Sequence, residues 1–295
     1  MEPISEWLLP VASAVVISYC LTIVLLSRMK YLALDVPNHR SMHSLPVPRT
    51  GGWALLAGCG VALVISPISL PYFVYLAFLL LLAVSALDDL RHVPASVRFG
   101  VQLLAVSLII CALPNGLQWW FPFLALCGVW VVNLYNFMDG MDGLAGSMTA
   151  VGFLGLGLAC LVGGDLGLAG VCALVFVCAL VFLHFNWPPA RIFLGDAGST
   201  CLGLTVVTVS LFGWQRGAFE LWLPAIIFTP FWLDATYTLL RRMIRGQRWW
   251  EAHREHFYQK SAIRMGVKNT LYLQLVFMLC MSILAVVLSA LDISG

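Results

Sequence analysis

Reading from Asn133, the chain spells N-L-Y-N-F-M-D-G-M-D-G-L, which places amides and carboxylates at every third position: Asn133, Asn136, Asp139 and Asp142. On an α-helix a three-residue step turns about 300°, so neighbours in the string fall within about 60° of each other. Burying such groups in hydrocarbon is expensive, so the string is expected to face a protein interior or a water-filled cavity. Asp88 and Asp89 stand upstream of it, and Asp196 follows in F-L-G-D-A-G-S. Carboxylate oxygens without thiolates suit Mg²⁺, with Mn²⁺ as the alternative. Mg²⁺ is usually held by one or two carboxylates together with substrate phosphates, which makes a phosphorylated partner the expectation. Gly140, Gly143, Gly195 and Gly198 flank these acids and allow backbone to approach a ligand closely. Ser199 is expected to cap the helix after Asp196, leaving its N–H groups to face an anion.

A second group lies near the end of the chain. His253, Arg254 and His256 give three phosphate donors in four residues. The preceding Arg241, Arg242, Arg245 and Arg248, with Trp249 and Trp250, read as a basic, aromatic membrane boundary. In the hydrophilic segment 28–50, Asn38, His39, Arg40, His43 and Arg49 could serve a phosphate or simply be solvated. Asp234 is expected to pair with Arg241 or Arg242 and to stand outside the site.

The elements that must position these residues are apolar. Hydrophobic residues make up 61% of the chain, charged residues 10%, and the mean hydropathy is +0.93. Soluble domains run at about 25% charged, so the composition indicates an all-α, polytopic integral membrane protein. Ten runs are long enough to cross about 30 Å of hydrocarbon: 8–27, 51–67, 71–87, 98–113, 120–137, 144–163, 166–185, 199–214, 219–240 and 270–291. Some are short or run together, so the expected count is nine to eleven. One set of connecting loops holds fifteen of the sixteen Lys and Arg; the other holds only Arg216. The positive-inside rule makes the first set cytoplasmic and puts both termini outside. Glu2 and Glu6 precede the first run while Arg28 and Lys30 follow it, the reverse of a signal peptide, so it reads as a retained helix. On this topology Asp88, Asp89, Asp139, Asp142 and Asp196 reach the cytoplasmic boundary from three helices, and all six histidines fall at or near it. Residues 1–295 read as one membrane domain with a cytoplasmic-face active site. The nine cysteines lie within predicted spans and read as small apolar fillers, without disulfides or zinc.

Three rival classes fit these residues less well. Transporters usually place ionisable groups near the midplane, whereas these gather at one face. A CDP-alcohol phosphotransferase would start D-G-x-x-A-R, but Gly143 stands where the Ala belongs. A purely structural assembly partner would not need Asp196.

Asp88–Asp89, the string from Asn133 to Leu144, Phe193 to Ser199, and the late His253/His256 cluster together resemble the polyprenyl-phosphate N-acetylhexosamine-1-phosphate transferases, glycosyltransferase family 4. Segment 35–52, D-V-P-N-H-R-S-M-H-S-L-P-V-P-R-T-G-G, resembles the N-terminal signature of their bacterial branch. The resemblance implies a bacterial inner-membrane enzyme that moves a sugar 1-phosphate from a UDP-N-acetylhexosamine to undecaprenyl phosphate, a membrane lipid, and releases UMP. It implies initiation of O-antigen or related polysaccharide, with the phospho-MurNAc-pentapeptide transferases of peptidoglycan synthesis as the alternative branch. No nucleic acid is expected as a partner, and a homodimer is the permitted assembly. By resemblance, Asp196 is a Mg²⁺ ligand, joined by Asp88 and Asp139, and Asp88 and Asp89 are the paired catalytic aspartates. His253 and His256 lie by the diphosphate. Asn133, Asn136, Asp139, Asp142, Asn186, Phe193, Arg254, Arg40 and Arg49 are candidate substrate contacts.

Overall fold

With no water in a bilayer to satisfy backbone N–H and C=O groups, apolar runs of this length must close their hydrogen bonds within helices. They do so in a computed structural model that describes residues 4–29, 31–37, 46–113, 119–247 and 253–294. The helices are α1 Leu8–Arg28, α2 Gly51–Val64, α3 Tyr72–Leu90, α4 Ala95–Cys111, α5 Phe121–Phe137 and α6 Leu144–Val162. There follow α7 Leu166–Asn186, α8 Gly195–Gln215, α9 Trp222–Ile227, α10 Thr229–Ile244, α11 Phe257–Met265 and α12 Val267–Ser294. Among the described residues six helical stretches are long and apolar enough to cross a membrane, in α1, α3, α6, α7, α8 and α12, so the chain is a polytopic membrane protein. α2, α4 and α5 are shorter apolar helices.

The helix that carries Asp196 is the most enclosed. α8 is the least apolar of the six, with mean hydropathy 1.4, yet 94% of it is buried; α12, at 2.5, is 22% buried. A helix surrounded by protein can carry polar groups, whereas one facing lipid must be apolar on its outer surface. α2, α3 and α5 pack on α8, α4 bridges α3 and α5, and α6 packs between α7 and α12.

Three expectations need correction. The ninth run is broken: α9 ends at Ile227 and α10 starts at Thr229, where Pro230 has no N–H to continue the ladder. The carbonyl of Ala225 at the break accepts Thr229 Oγ1 at 3.0 Å and Trp232 Nε1 at 2.8 Å. The late hydrophilic segment is not all loop, because it contains α11. The chain is also not purely helical, since β1 Leu34–Asp35 pairs antiparallel with β2 Val47–Pro48. That short ladder extends into the site: Pro48 O accepts the Phe193 N–H, and Gly51 and Gly52 N–H donate to Phe193 O and Leu194 O.

Candidate active site

The first turn of α8 is set by Asp89. Its Oδ1 accepts the Asp196 N–H at 2.7 Å, and its Oδ2 accepts the Ala197 N–H at 3.1 Å and Trp53 Nε1 at 3.2 Å. Gly195 makes this possible. It sits at φ +78°, and a Cβ there would meet Arg49 O at 2.3 Å. The anion at this helix N-terminus is therefore Asp89 itself, which corrects the expectation of a Ser199 cap facing a ligand. Ser199 lies a turn inside α8 and donates to Asn136 Oδ1 at 2.9 Å. Both Asp89 oxygens are taken by α8 and Trp53, so Asp89 acts on the site through Asp196. Arg49 stands behind it, donating from Nη2 to Asp89 O at 3.2 Å, with its buried Nε unpaired.

Asp88 points elsewhere. Oδ1 accepts the Val93 N–H at 2.8 Å, and Oδ2 pairs with Arg98 Nη1 at 2.6 Å. The same Arg98 nitrogen is 4.0 Å from Asp196 Oδ2, so one guanidinium faces both carboxylates. Sequence reading missed Arg98. The available signal was a lone cation one turn into an apolar helix, ten residues beyond Asp88.

The amide–carboxylate string is helical only as far as Phe137. Asn133 Nδ2 donates to Gln102 Oε1 at 2.8 Å, a partner also missed from the sequence, and to Val129 O at 2.9 Å. Asp139 and Asp142 lie on the loop beyond, where Asp142 Oδ2 accepts the Ala190 N–H at 2.9 Å. Burial, with Asp196, Asp89, Asp35 and Asp142 nearby, holds the Asp139 carboxyl well above the usual carboxylate range. Asp35 is thus a further acid near the site that was not singled out. Asn186 is a structural tie: Oδ1 accepts the Gly143 N–H at 2.9 Å and Nδ2 donates to Ile192 O at 2.8 Å. Phe193 is engaged through its main chain, and neither it nor Asn186 lines the cavity described below.

The late cluster is held by Asp234, which corrects its expected pairing with Arg241 or Arg242. Asp234 Oδ1 lies 3.2 Å from His256 Nδ1 and accepts the Phe257 N–H at 2.9 Å; Oδ2 accepts the Tyr258 N–H at 2.9 Å. Arg242 pairs with Glu255 instead. His253 and His256 rings lie 4.9 Å apart. Burial, then His256 and Arg242, push His253 down to about 4, so it is neutral at pH 7 and offers a hydrogen bond rather than a charge. Tyr258 Oη donates to Phe137 O at 3.2 Å across Gly140, where any Cβ would lie 2.2 Å from that oxygen. Burial, with Asp234 and Asp139, pushes the Tyr258 phenol up, so it stays a donor. Arg254 is half-buried and not on the cavity wall. Asn38, His39, Arg40 and His43 lie outside the described residues.

These parts enclose a cavity of about 660 Å³. Asp88, Arg98, Asn133, Asn136, Asp196, His253 and His256 form its polar wall; Leu81, Phe99, Leu126, Val129 and Trp130 form its apolar one. Among the described residues no three His, Cys, Asp or Glu side chains gather into a metal cage. Asp88 and Asp196 nevertheless turn hard oxygens onto one cavity and one guanidinium, with Asp139 close enough for its own ionisation to be opposed by Asp196. Two carboxylates completed by substrate phosphates fit a Mg²⁺-type ion, whereas a cage of protein ligands alone is not offered.

The fold and the site define a polytopic membrane protein whose helix ends enclose one acidic, histidine-walled cavity. Residues 71–213, which hold Asp88, Asp89, Asp139, Asp142 and Asp196, match the model of glycosyl transferase family 4. The chain is 27% identical over 286 residues to the "probable undecaprenyl-phosphate N-acetylglucosaminyl 1-phosphate transferase" of Bacillus subtilis, covering 89% of this chain and 79% of that protein. It is 29% identical to the undecaprenyl-phosphate alpha-N-acetylglucosaminyl 1-phosphate transferase of Yersinia pestis, covering 76% and 68%. It is 27% identical to the one from Escherichia coli K12, with the same coverage. Together with the motifs and their placement, these matches make the chain similar to glycosyl transferase family 4 over residues 71–213 and to those relatives over most of its length.

Proposed function

We propose that this protein transfers N-acetylhexosamine 1-phosphate from a UDP-sugar to undecaprenyl phosphate, releasing UMP, and so initiates O-antigen or a related surface polysaccharide. The observation that carries this is the single cavity, in which an acidic, histidine-bearing wall meets an apolar one large enough to admit part of an isoprenoid chain. The relatives' names make N-acetylglucosamine the first donor to test. The basic loops adjoin the site, which supports a cytoplasmic active face in a bacterial inner membrane with both termini outside. The six long spans, the three shorter apolar helices and the broken α9–α10 pair support ten crossings.

In this reaction an oxygen of the lipid phosphate attacks the phosphorus bonded to the sugar. The bond from that phosphorus to the bridging oxygen breaks, and its electron pair leaves with UMP. A phosphate monoester has its second pKa near 6, so the nucleophile is already mostly ionised at pH 7 and a general base has little proton to remove. The harder task is bringing two anions together in line. Mg²⁺ or Mn²⁺ held by Asp88 and Asp196, with Asp139 nearby, would supply neutralisation of the diphosphate charge. Arg98 adds a fixed cation on the same wall. His253, whose Nδ1 accepts the Glu255 N–H, offers its Nε2–H to phosphate oxygens, His256 presents a ring nitrogen on the same wall, and Asn133 and Asn136 offer amides.

The test uses purified protein, undecaprenyl phosphate, Mg²⁺ and a panel of UDP-N-acetylhexosamines, with UMP and lipid-linked product followed together. Equal amounts of both, lost in Asp196→Asn, are expected. A folded protein that releases no UMP from any donor would overturn the proposal.

A further inference from the structure

Asp234 is buried, at 6% exposure, on a helix that carries none of the acids of the family motifs. Both of its oxygens are turned onto the 253–259 segment. Oδ1 meets His256 Nδ1 and the Phe257 N–H, Oδ2 meets the Tyr258 N–H, and Thr238 Oγ1 adds a fourth donor to Oδ1 at 3.2 Å. Oδ1 already acts as the acceptor for the Phe257 N–H and Thr238 Oγ1, so the ring atom beside it is the donor of the pair. That leaves Nε2 as the free ring nitrogen of a histidine that lines the cavity. The same carboxylate accepts two orphan N–H groups from the first turn of α11, fixing where that turn starts. Tyr258 then carries the register on to Phe137 O, at the root of the Asp139 loop. One turn along α10 from Thr238, Arg242 holds Glu255. The 253–259 segment is thus docked on α10 at both ends.

We infer that Asp234 is a positioning residue for the transfer. It fixes the Nδ1–H tautomer of His256 and seats the histidine segment on the cavity, so that Nε2 is presented to the cavity as a hydrogen-bond acceptor. This rests on the transferase activity proposed above for its kinetic arm, but not for its spectroscopic one. Carboxylate partners that orient a functional histidine typically matter by about 10–100-fold.

The spectroscopic arm uses ¹⁵N-histidine-labelled protein in bilayers, with the His256 signals assigned by their loss in His256→Gln. Wild type is expected to carry the neutral ring proton on Nδ1. Asp234→Ala should spread it over both nitrogens, and Asp234→Asn, which keeps one acceptor oxygen, should give an intermediate result. In the kinetic arm, Asp234→Asn should lower kcat about tenfold or more with little change in the KM for UDP-sugar. In a His256→Gln background the same change should cost nothing further. A wild-type proton on Nε2, or an equal Asp234→Asn loss in both backgrounds, would overturn the inference. If wild type transfers no sugar phosphate, the activity proposal fails by itself and the spectra alone decide this one.

Discussion

The carboxylate of Asp89 grips the main chain of Asp196, with Oδ1 2.7 Å from the Asp196 nitrogen and Oδ2 3.1 Å from that of Ala197. Consecutive residues on a helix point about 100° apart, so the neighbouring Asp88 turns into the cavity while Asp89 turns onto α8. Two adjacent acids thereby divide the work: one meets Arg98 on the cavity wall that Asp196 shares, and the other builds the platform under them.

This division predicts different defects. Asp89→Ala strands two α8 N–H groups and the Trp53 indole, each unsatisfied buried donor costing about 1–3 kcal/mol. A fall in melting temperature of about 2–4 °C per kcal/mol is expected in detergent, together with loss of transfer. Asp88→Asn keeps an oxygen for the Val93 N–H, so it should lose transfer with a much smaller thermal shift. Equal thermal losses in the two variants would contradict the assignment.

Arg98 is the cation that both Asp88 and Asp196 face. Arg98→Ala should lower kcat by roughly 10²-fold, the scale for removing one preorganised charge-stabilising donor. Arg98→Lys should restore only part, since a point charge cannot span two acceptors as a guanidinium fork does. Steady-state kinetics on the two variants check both statements.

Gly195 has no room for a side chain and lies in the left-handed region at φ +78°. Gly195→Ala drives a methyl toward Arg49 O and the Asp89 carboxylate, and adds the cost of a strained backbone, about 1–2 kcal/mol before the clash. The expected result is less folded protein on size-exclusion chromatography and a lower melting temperature. Gly60→Ala, where nothing lies within 4 Å of the added carbon, should be neutral.

The pH dependence of stability carries the mark of His253. Its folded pKa is about 4, against about 6.5 for an unfolded histidine, so between these values the unfolded chain binds the extra proton. Stability is therefore complete above about pH 6.5 and declines as pH falls toward 4. His253→Gln should show a smaller drop in melting temperature between pH 7 and pH 5 than wild type. An identical drop would show that His253 is not held neutral.

Much of the frame was legible because hydrocarbon imposes length and apolarity on whole runs. The predicted 120–137, 144–163 and 166–185 became Phe121–Phe137, Leu144–Val162 and Leu166–Asn186. The acids of the motifs were legible for the same reason, since charge at the end of an apolar run needs a purpose. Partners that meet only in three dimensions were not. Asp234 was assigned to arginines seven or eight residues away on its own helix, yet its partner His256 lies across a loop, 22 residues on. Arg98 was not singled out, because it meets Asp88 only where α4 folds back against α3. Asn186 and Phe193 are substrate contacts by resemblance alone; what sequence could not show is that Asn186 also ties Gly143 to Ile192 and that the Phe193 main chain ties Pro48 to Gly51.

The most direct measurement follows a label through the reaction. UDP-N-acetylglucosamine carrying ³²P only on the sugar-bonded phosphorus is incubated with undecaprenyl phosphate, Mg²⁺ and wild-type protein, alongside Asp88→Asn. All of the reacted label is expected in the lipid fraction, with unlabelled UMP in equal amount and neither product from the variant. Label recovered in UDP, with sugar alone on the lipid, would mean that the sugar–oxygen bond had been cleaved and would contradict the proposed sugar-phosphate transfer.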